Sequence, residues 1–325
     1  MKEKINRRGF VRSSLLASAV IPLGLRAQTT STTGSAAAGA ASASQSEDTV
    51  PPGKIGDQSF SRLMLGGNLI GGYSHARDLA YVATLMRRYN TEAKIRETLE
   101  LAEAHGIDVI NTWVMQENST LFAHWKQGGK MKWFAQVRLD QNGGYSQIQK
   151  AIDQGAAGIH VTGDTAEMLL TQGKFEKVGE TVQMIKSQKR IAGVAAHDLR
   201  VIGECEKLKL DVDFYQKTLH THDYYTAPRQ DEAGPLGGHD NSWCNDPQAV
   251  VDFMSTVRKP WIAFKILAAG AIPPRAAFPY AFNSGADFIL VGMFDWQVTE
   301  NAKLARRVVT LASKPGSKRT RSWYG

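Results

Sequence analysis

Between residues 63 and 312 short apolar runs alternate with segments of helical period, and this alternation constrains the fold more than any other feature of the chain. The runs are Leu63–Leu65, Asp108–Asn111, Trp133–Val137, Gly158–Val161, Ile191–Ala195, Val212–Gln216, Trp261–Ile266 and Asp287–Val291. Continuous apolar runs of this length fit strands buried on both faces of a parallel sheet. Helical period marks Thr91–His105, Ser146–Gln154, Lys177–Ser187, Leu199–Leu208, Pro247–Arg258, Arg275–Ser284 and Gln297–Ala312. Three of these helices end in a glycine directly before a run: His105-Gly106-Ile107, Gln154-Gly155-Ala156 and Ser284-Gly285-Ala286. That is the helix-to-strand turn of a parallel sheet. Eight such units predict an α/β fold, a (β/α)8 TIM barrel, rather than an open doubly wound sheet. The glycine-rich stretch Gly66–Gly72 lacks the G-x-G-x-x-G spacing and opens a long loop, so it does not read as a dinucleotide fingerprint.

Ahead of the barrel, Asn6-Arg7-Arg8-Gly9-Phe10-Val11-Arg12 precedes a weakly apolar run, Ser13–Leu25. A basic start, a modest apolar middle and small residues afterwards predict a twin-arginine signal peptide over residues 1–27, with Ala27 as the candidate cleavage point. The run is shorter than the about 20 residues that span a bilayer. The expected partner is therefore the twin-arginine translocase, with no stable membrane insertion after cleavage and a periplasmic or otherwise exported product. Residues 28–53, rich in Ala, Ser, Thr and Gly, read as a disordered linker, 54–313 as the barrel, and 314–325 as a frayed basic tail. Of the formal net charge of +8, +5 lies in the first 28 residues, so the remainder is near +3. A nucleic-acid partner is not expected at that charge. Cys205 and Cys244 have no metal-type spacing, and folding in a reducing compartment before export argues against a disulfide.

The long segments Gly66–Asn90 and His220–Asp246 follow the first and sixth runs, on the face where barrel active sites are built. The second opens with Lys217-Thr218-Leu219-His220-Thr221-His222-Asp223. His220 and His222 at a strand end, His197 after the neighbouring strand, and a carboxylate from Asp223 or Glu117 predict a divalent-metal site suited to zinc, manganese or iron. The alternative is that these imidazoles hydrogen-bond substrate hydroxyls or the loop itself. Lys217 and Lys265 fall on adjacent strands, where alternation can point both inward as Schiff-base or proton-transfer groups. Their alternative is a structural ion pair with Asp213 or Glu117. Tyr73, Trp113 and Trp243, with Asn68, His75, Asn111 and Gln136, offer aromatic faces beside polar groups, a pattern suited to a sugar or polyol. His105 and His124 read as surface or capping residues.

Lys54-Ile55-Gly56, Phe60-Ser61-Arg62-Leu63-Met64-Leu65-Gly66-Gly67, Gly106-Ile107-Asp108-Val109-Ile110-Asn111-Thr112-Trp113 and Ala263-Phe264-Lys265-Ile266-Leu267-Ala268-Ala269-Gly270 resemble segments of the aldo-keto reductase family. The resemblance covers residues 54–310 and implies the barrel and an NAD(P)-dependent reductase. The family's Asp, Tyr, Lys and His fall on Asn111, Met115, Gln136 and His160, so only His160 matches. Met115 cannot protonate a carbonyl oxygen, and Gln136 cannot shift a neighbour's pKa by charge. Gly292-Met293-Phe294-Asp295 offers no basic group for a 2′-phosphate. The sequence therefore predicts an exported barrel enzyme of a sugar-like carbonyl or polyol, with non-redox lyase, epimerase or hydrolase chemistry assisted by a metal or a lysine. His160, Lys217 and Lys265 are its catalytic candidates. The alternatives are an NAD(P)-dependent oxidoreductase and a non-catalytic carbohydrate-binding protein.

Overall fold

Every apolar run forms a strand, and the strands close on themselves. The computed structural model describes residues 49–76, 78–139, 145–229 and 239–325. The expected signal peptide and most of the expected linker lie outside the described residues. A hairpin comes first, β1 (Pro52–Ile55) antiparallel to β2 (Gln58–Ser61). Eight parallel strands follow: β3 (Leu63–Gly66), β4 (Val109–Trp113), β5 (Lys132–Val137), β6 (Gly158–Val161), β7 (Ile191–Ala196), β8 (Phe214–Thr218), β9 (Trp261–Phe264) and β10 (Phe288–Gly292). Each pairs with the next in sequence, and β10 returns to β3 with Ile289 opposite Leu63. The molecule is a closed TIM barrel.

Around it lie α1 (Tyr81–Tyr89), α2 (Glu92–Ala104), α3 (Ser119–Lys126), α4 (Ser146–Asp153), α5 (Gly163–Thr171), α6 (Glu176–Ser187), α7 (Leu199–Lys207), α8 (Pro247–Thr256), α9 (Pro274–Asn283) and α10 (Asp295–Ala312). Local chemistry sets their ends. The Thr91 side chain accepts from Lys94 N–H and starts α2, and Gly106 at φ +74° ends it. Gly285 at φ +103° does the same after α9, and a Cβ there would also meet Arg321. Helices α1 and α5 were not expected; α1 leaves Tyr81 and Leu85 exposed.

The apolar core has two parts. The larger lies between the outer strand faces and the helices. The smaller fills the barrel and joins Met64, Val109, Phe134, Phe214, Ile262 and Phe288 to Ile55 and Phe60 of the hairpin. Phe60 meets Phe134 edge-on at 5.0 Å, and Phe134 lies 5.4 Å from Phe214. Glycine stands at 193 because the Phe214 ring occupies the space a Cβ would take. This plug closes the N-terminal end of the barrel.

Both expected boundaries of the barrel shift. The linker gives way to the hairpin at Pro52, and Val50 is already buried. The tail expected to fray instead packs under the barrel. The side chains of Arg319 and Arg321 are buried and donate to Asp287 Oδ1 at 2.9 Å and Oδ2 at 3.1 Å. Arg62 donates to the Asp287 carbonyl at 2.9 Å and to Gly325 O at 2.5 Å. The charge that suggests solvation is the charge that anchors the segment. His124, expected at the surface, is buried 3.0 Å from Glu103 Oε1. Among the described residues no helix is long and apolar enough to cross a membrane.

Candidate active site

Above the aromatic plug the barrel interior turns polar. Asn111 of β4 is fully buried and its Nδ2 donates to His160 Nε2 on β6 at 3.0 Å and to Gln216 Oε1 on β8 at 3.2 Å. Gln136 of β5 donates to Asn111 Oδ1 at 2.5 Å. Because His160 Nε2 accepts, its proton sits on Nδ1, 3.3 Å from the Val161 carbonyl. Burial pushes the His160 pKa down to about 4, against the smaller upward pull of that carbonyl, so the ring is neutral. Every member of this network is uncharged. Strand alternation puts all four side chains on one face. Gln216 was not among the sequence candidates; its signal was the Phe214, Gln216 alternation on β8.

At the C-terminal rim, Lys265 follows β9 directly. Its backbone is left-handed at φ 57°, as is that of Ala268 and Ala269 just beyond. The turn breaks strand alternation and brings Nζ to 2.9 Å from His75 Nε2, with the Trp243 ring centroid 3.9 Å away. The His75 and Trp243 rings meet at 4.6 Å, and Asn68 Nδ2 lies 3.3 Å from His75 Nε2. Asn68, His75, Trp243 and Lys265, drawn from three separate segments, thus form one cluster. Burial lowers the Lys265 pKa to about 7, with weaker opposing attraction from Asp164, Glu167 and Asp240. An amine with that acid constant is substantially neutral at physiological pH and is a nucleophile or a base.

Lys217 goes elsewhere. Phe214 and Gln216 face inward, so Lys217 faces outward through the wall of the barrel. Its expected inward position is corrected by this parity. It is fully buried, and burial pulls its pKa down to about 8 despite Cys244, Glu167 and Asp198 nearby. Its Nζ donates to Thr218 Oγ1 at 2.8 Å and to the Thr218 carbonyl at 3.1 Å.

The expected metal ligands do not converge. His220 donates from Nδ1 to the Thr221 carbonyl and accepts the Trp243 N–H at Nε2, both at 2.9 Å, which leaves no lone pair for a cation. His222 Nε2 donates to the Cys244 carbonyl at 2.6 Å. His197 pairs with Glu167 at 3.2 Å, a partner with no local sequence signal. Asp223 is exposed, and Glu117 follows β4, across the barrel from β8, where it accepts from Ser119 N–H. Among the described residues no group of three or more His, Cys, Asp or Glu side chains is disposed to hold a metal. What His220 does hold is Trp243. Burial first, then His222, Lys217 and Lys265, hold its pKa down at about 4, against the Thr221 carbonyl, so it stays the neutral acceptor that this needs.

Other expected residues remain apart from the Lys265 cluster. Tyr73 is exposed, and Trp113 is half-buried under the Arg138 guanidinium, with its Nε1 donating to Gln147 at 3.3 Å. Cys205 and Cys244 are both free and buried. At the rim after β10 Asp295 is paired with Lys94 and accepts from Tyr89.

No family model matches the chain, and none of the curated proteins compared matches it. Among solved structures, one from Pseudomonas aeruginosa, described provisionally as an aldo-keto reductase, superposes with a TM-score of 0.56 at 16% identity over 81% of this chain and 98% of its own. A second structure so described, from the same organism, gives a TM-score of 0.54 at 16% identity, over 81% of this chain and 97% of its own. The chain shares their barrel fold.

Proposed function

We propose that the chain is an enzyme of small carbonyl or polyhydroxylated compounds, that its chemistry is non-redox, and that Lys265 carries it. The observation behind this reading is the Lys265 amine, held at the barrel rim by His75 and Trp243 with its acid constant pulled to near neutrality. The Lys265 ammonium passes a proton to His75 Nε2, and the neutral amine so formed attacks a carbonyl carbon to give a carbinolamine. Water leaves with the carbonyl oxygen, its departure assisted by a proton from His75, and an iminium remains. That cation draws electrons from the adjacent C–H or C–C bond, and His75 takes up or returns the proton. Hydrolysis frees the product and restores the amine. Asn68 and half-buried Gln136 supply hydrogen bonds for hydroxyls. The departures at Asn111, Met115 and Gln136 support chemistry without hydride transfer.

Borohydride reduction in the presence of dihydroxyacetone or another small ketose tests this. The expected result is a stable adduct on the Lys265 peptide, lost in Lys265→Met and slowed about a hundredfold or more in His75→Phe, a typical loss for a proton-transfer group. Labelling of Lys265 no greater than that of exposed Lys54 refutes the lysine reading. Ketose binding without any adduct favours a carbohydrate-binding protein instead.

We also propose that the enzyme works outside the cytoplasm after twin-arginine export, on the strength of Arg7-Arg8 ahead of a weak apolar run. Changing both arginines to lysine is expected to leave precursor in the cytoplasm. Export at the normal level, read by fractionation, contradicts it.

A further inference from the structure

From the last residue of β8 onward, every second side chain binds the main chain of another segment. Thr218, His220, His222 and Tyr224 all bond the backbone of residues 241–244. The Tyr224 hydroxyl donates to the Asn241 carbonyl at 2.8 Å. His220 Nε2 accepts the Trp243 N–H at 2.9 Å, and Thr218 Oγ1 donates to the Trp243 carbonyl at 2.9 Å. His222 Nε2 donates to the Cys244 carbonyl at 2.6 Å. The peptide groups on both sides of Trp243 are thus held by side chains of one short stretch. Among the described residues no backbone hydrogen bond joins the two segments, so the side chains do the holding.

Trp243 is the residue this frame positions. Its ring centroid lies 3.9 Å from Lys265 Nζ and 4.6 Å from the His75 ring, and the residue is itself buried. Lys265 is only half-buried, so what lies against its amine decides how much water reaches it. An indole there excludes water on one side, which disfavours the ammonium form, while its π face attracts that form. Exclusion of water is the larger effect here, since burial leads the fall of the Lys265 pKa to about 7. We propose that His220 is a positioning residue for Lys265: with Thr218 and His222 it fixes the Trp243 backbone, and so sets the indole against the Lys265 amine and the His75 ring. His220 moves no proton in the reaction, because the Thr221 carbonyl and the Trp243 N–H occupy both its ring nitrogens. The proposal rests on the Lys265 reading and adds to it the reason for the histidine at 220.

The test follows Lys265 in the full chain through the pH dependence of its acylation by acetic anhydride. His220→Leu keeps an apolar side chain and accepts nothing; His220→Gln keeps an acceptor. His220→Leu is expected to raise the Lys265 midpoint by about one unit or more as water reaches the amine. His220→Gln is expected to restore most of that shift, which a merely structural role would not do. Thr218→Val keeps the shape, loses the bond to the Trp243 carbonyl and is expected to shift the midpoint the same way; it decides the matter if His220→Leu does not fold. An unchanged midpoint in a folded His220→Leu, or in Thr218→Val where His220→Leu does not fold, overturns the positioning role. So does a shift that His220→Gln leaves in place. A midpoint near 7 in the unmodified protein that both variants retain removes the positioning role alone. A midpoint in the unmodified protein equal to that of exposed Lys54 removes the Lys265 reading and the positioning role with it.

Discussion

The two ends of the barrel bury charge in opposite ways. At the N-terminal end Asp287 is fully enclosed, yet both its oxygens are met by guanidinium groups of Arg319 and Arg321 and by the N–H groups of Trp261 and Tyr324. Burial lowers the Arg319 pKa to about 10, with Asp287 pulling the other way, and the guanidinium stays charged at neutral pH. At the C-terminal end Lys217 is enclosed and Lys265 half-buried, and their direct partners are neutral, Thr218 for one, His75 and Trp243 for the other. Their acid constants move to about 8 and about 7. The ends differ in direct compensation. Charges that meet counter-charges hold a segment in place, and amines whose direct partners are neutral have their acid constants lowered.

The sharpest way to break this contrast is to neutralise one group at each end. Asp287→Asn keeps the shape and leaves two buried guanidinium groups uncompensated, a change expected to cost about 3–5 kcal/mol. Urea denaturation measures it; a loss below about 1 kcal/mol removes the structural role assigned to the C-terminal segment. Lys217→Met is expected to cost far less. Displacing that pKa from 10.5 to about 8 corresponds to a penalty of about 3 kcal/mol on the charged form. The two lost hydrogen bonds to Thr218, at about 1.5–3 kcal/mol each for a charged donor, offset it. The net result is a change of about 1 kcal/mol or less. Destabilisation of several kcal/mol in the same assay means that Lys217 is paired after all, and that the two ends do not differ.

Much of the fold was legible in the sequence because it depends on period. Apolar runs and helix-ending glycines located all eight barrel strands, and β6 lies where its run lies. The candidate site was legible as a set of residue types and less so as a geometry. Lys217 and Lys265 look alike in sequence, yet a one-residue parity sends Lys217 outward, and a left-handed turn at Lys265 overrides parity and brings it to the rim. His220 and His222 have a ligand's spacing, but the Thr221 carbonyl and the Trp243 N–H occupy both His220 nitrogens, and those contacts exist only once the loop has folded back. The C-terminal arginines suggested solvation because their partner Asp287 is over thirty positions from Arg319 in the chain and carries no local signal. Long-range pairing decides whether a charge is buried, and composition does not report it.

The central claim is that the fold makes Lys265 a near-neutral amine, and its titration tests that most directly. Acylation of the intact protein at a series of pH values, with each lysine followed by mass spectrometry, yields the pH dependence of every amine separately. The fold lowers the Lys265 pKa, so the neutral form, and with it the reaction rate, is expected to rise through a midpoint near pH 7. Exposed lysines such as Lys54 should rise only toward about 10.4, the ordinary lysine value. A Lys265 midpoint that coincides with theirs contradicts the account.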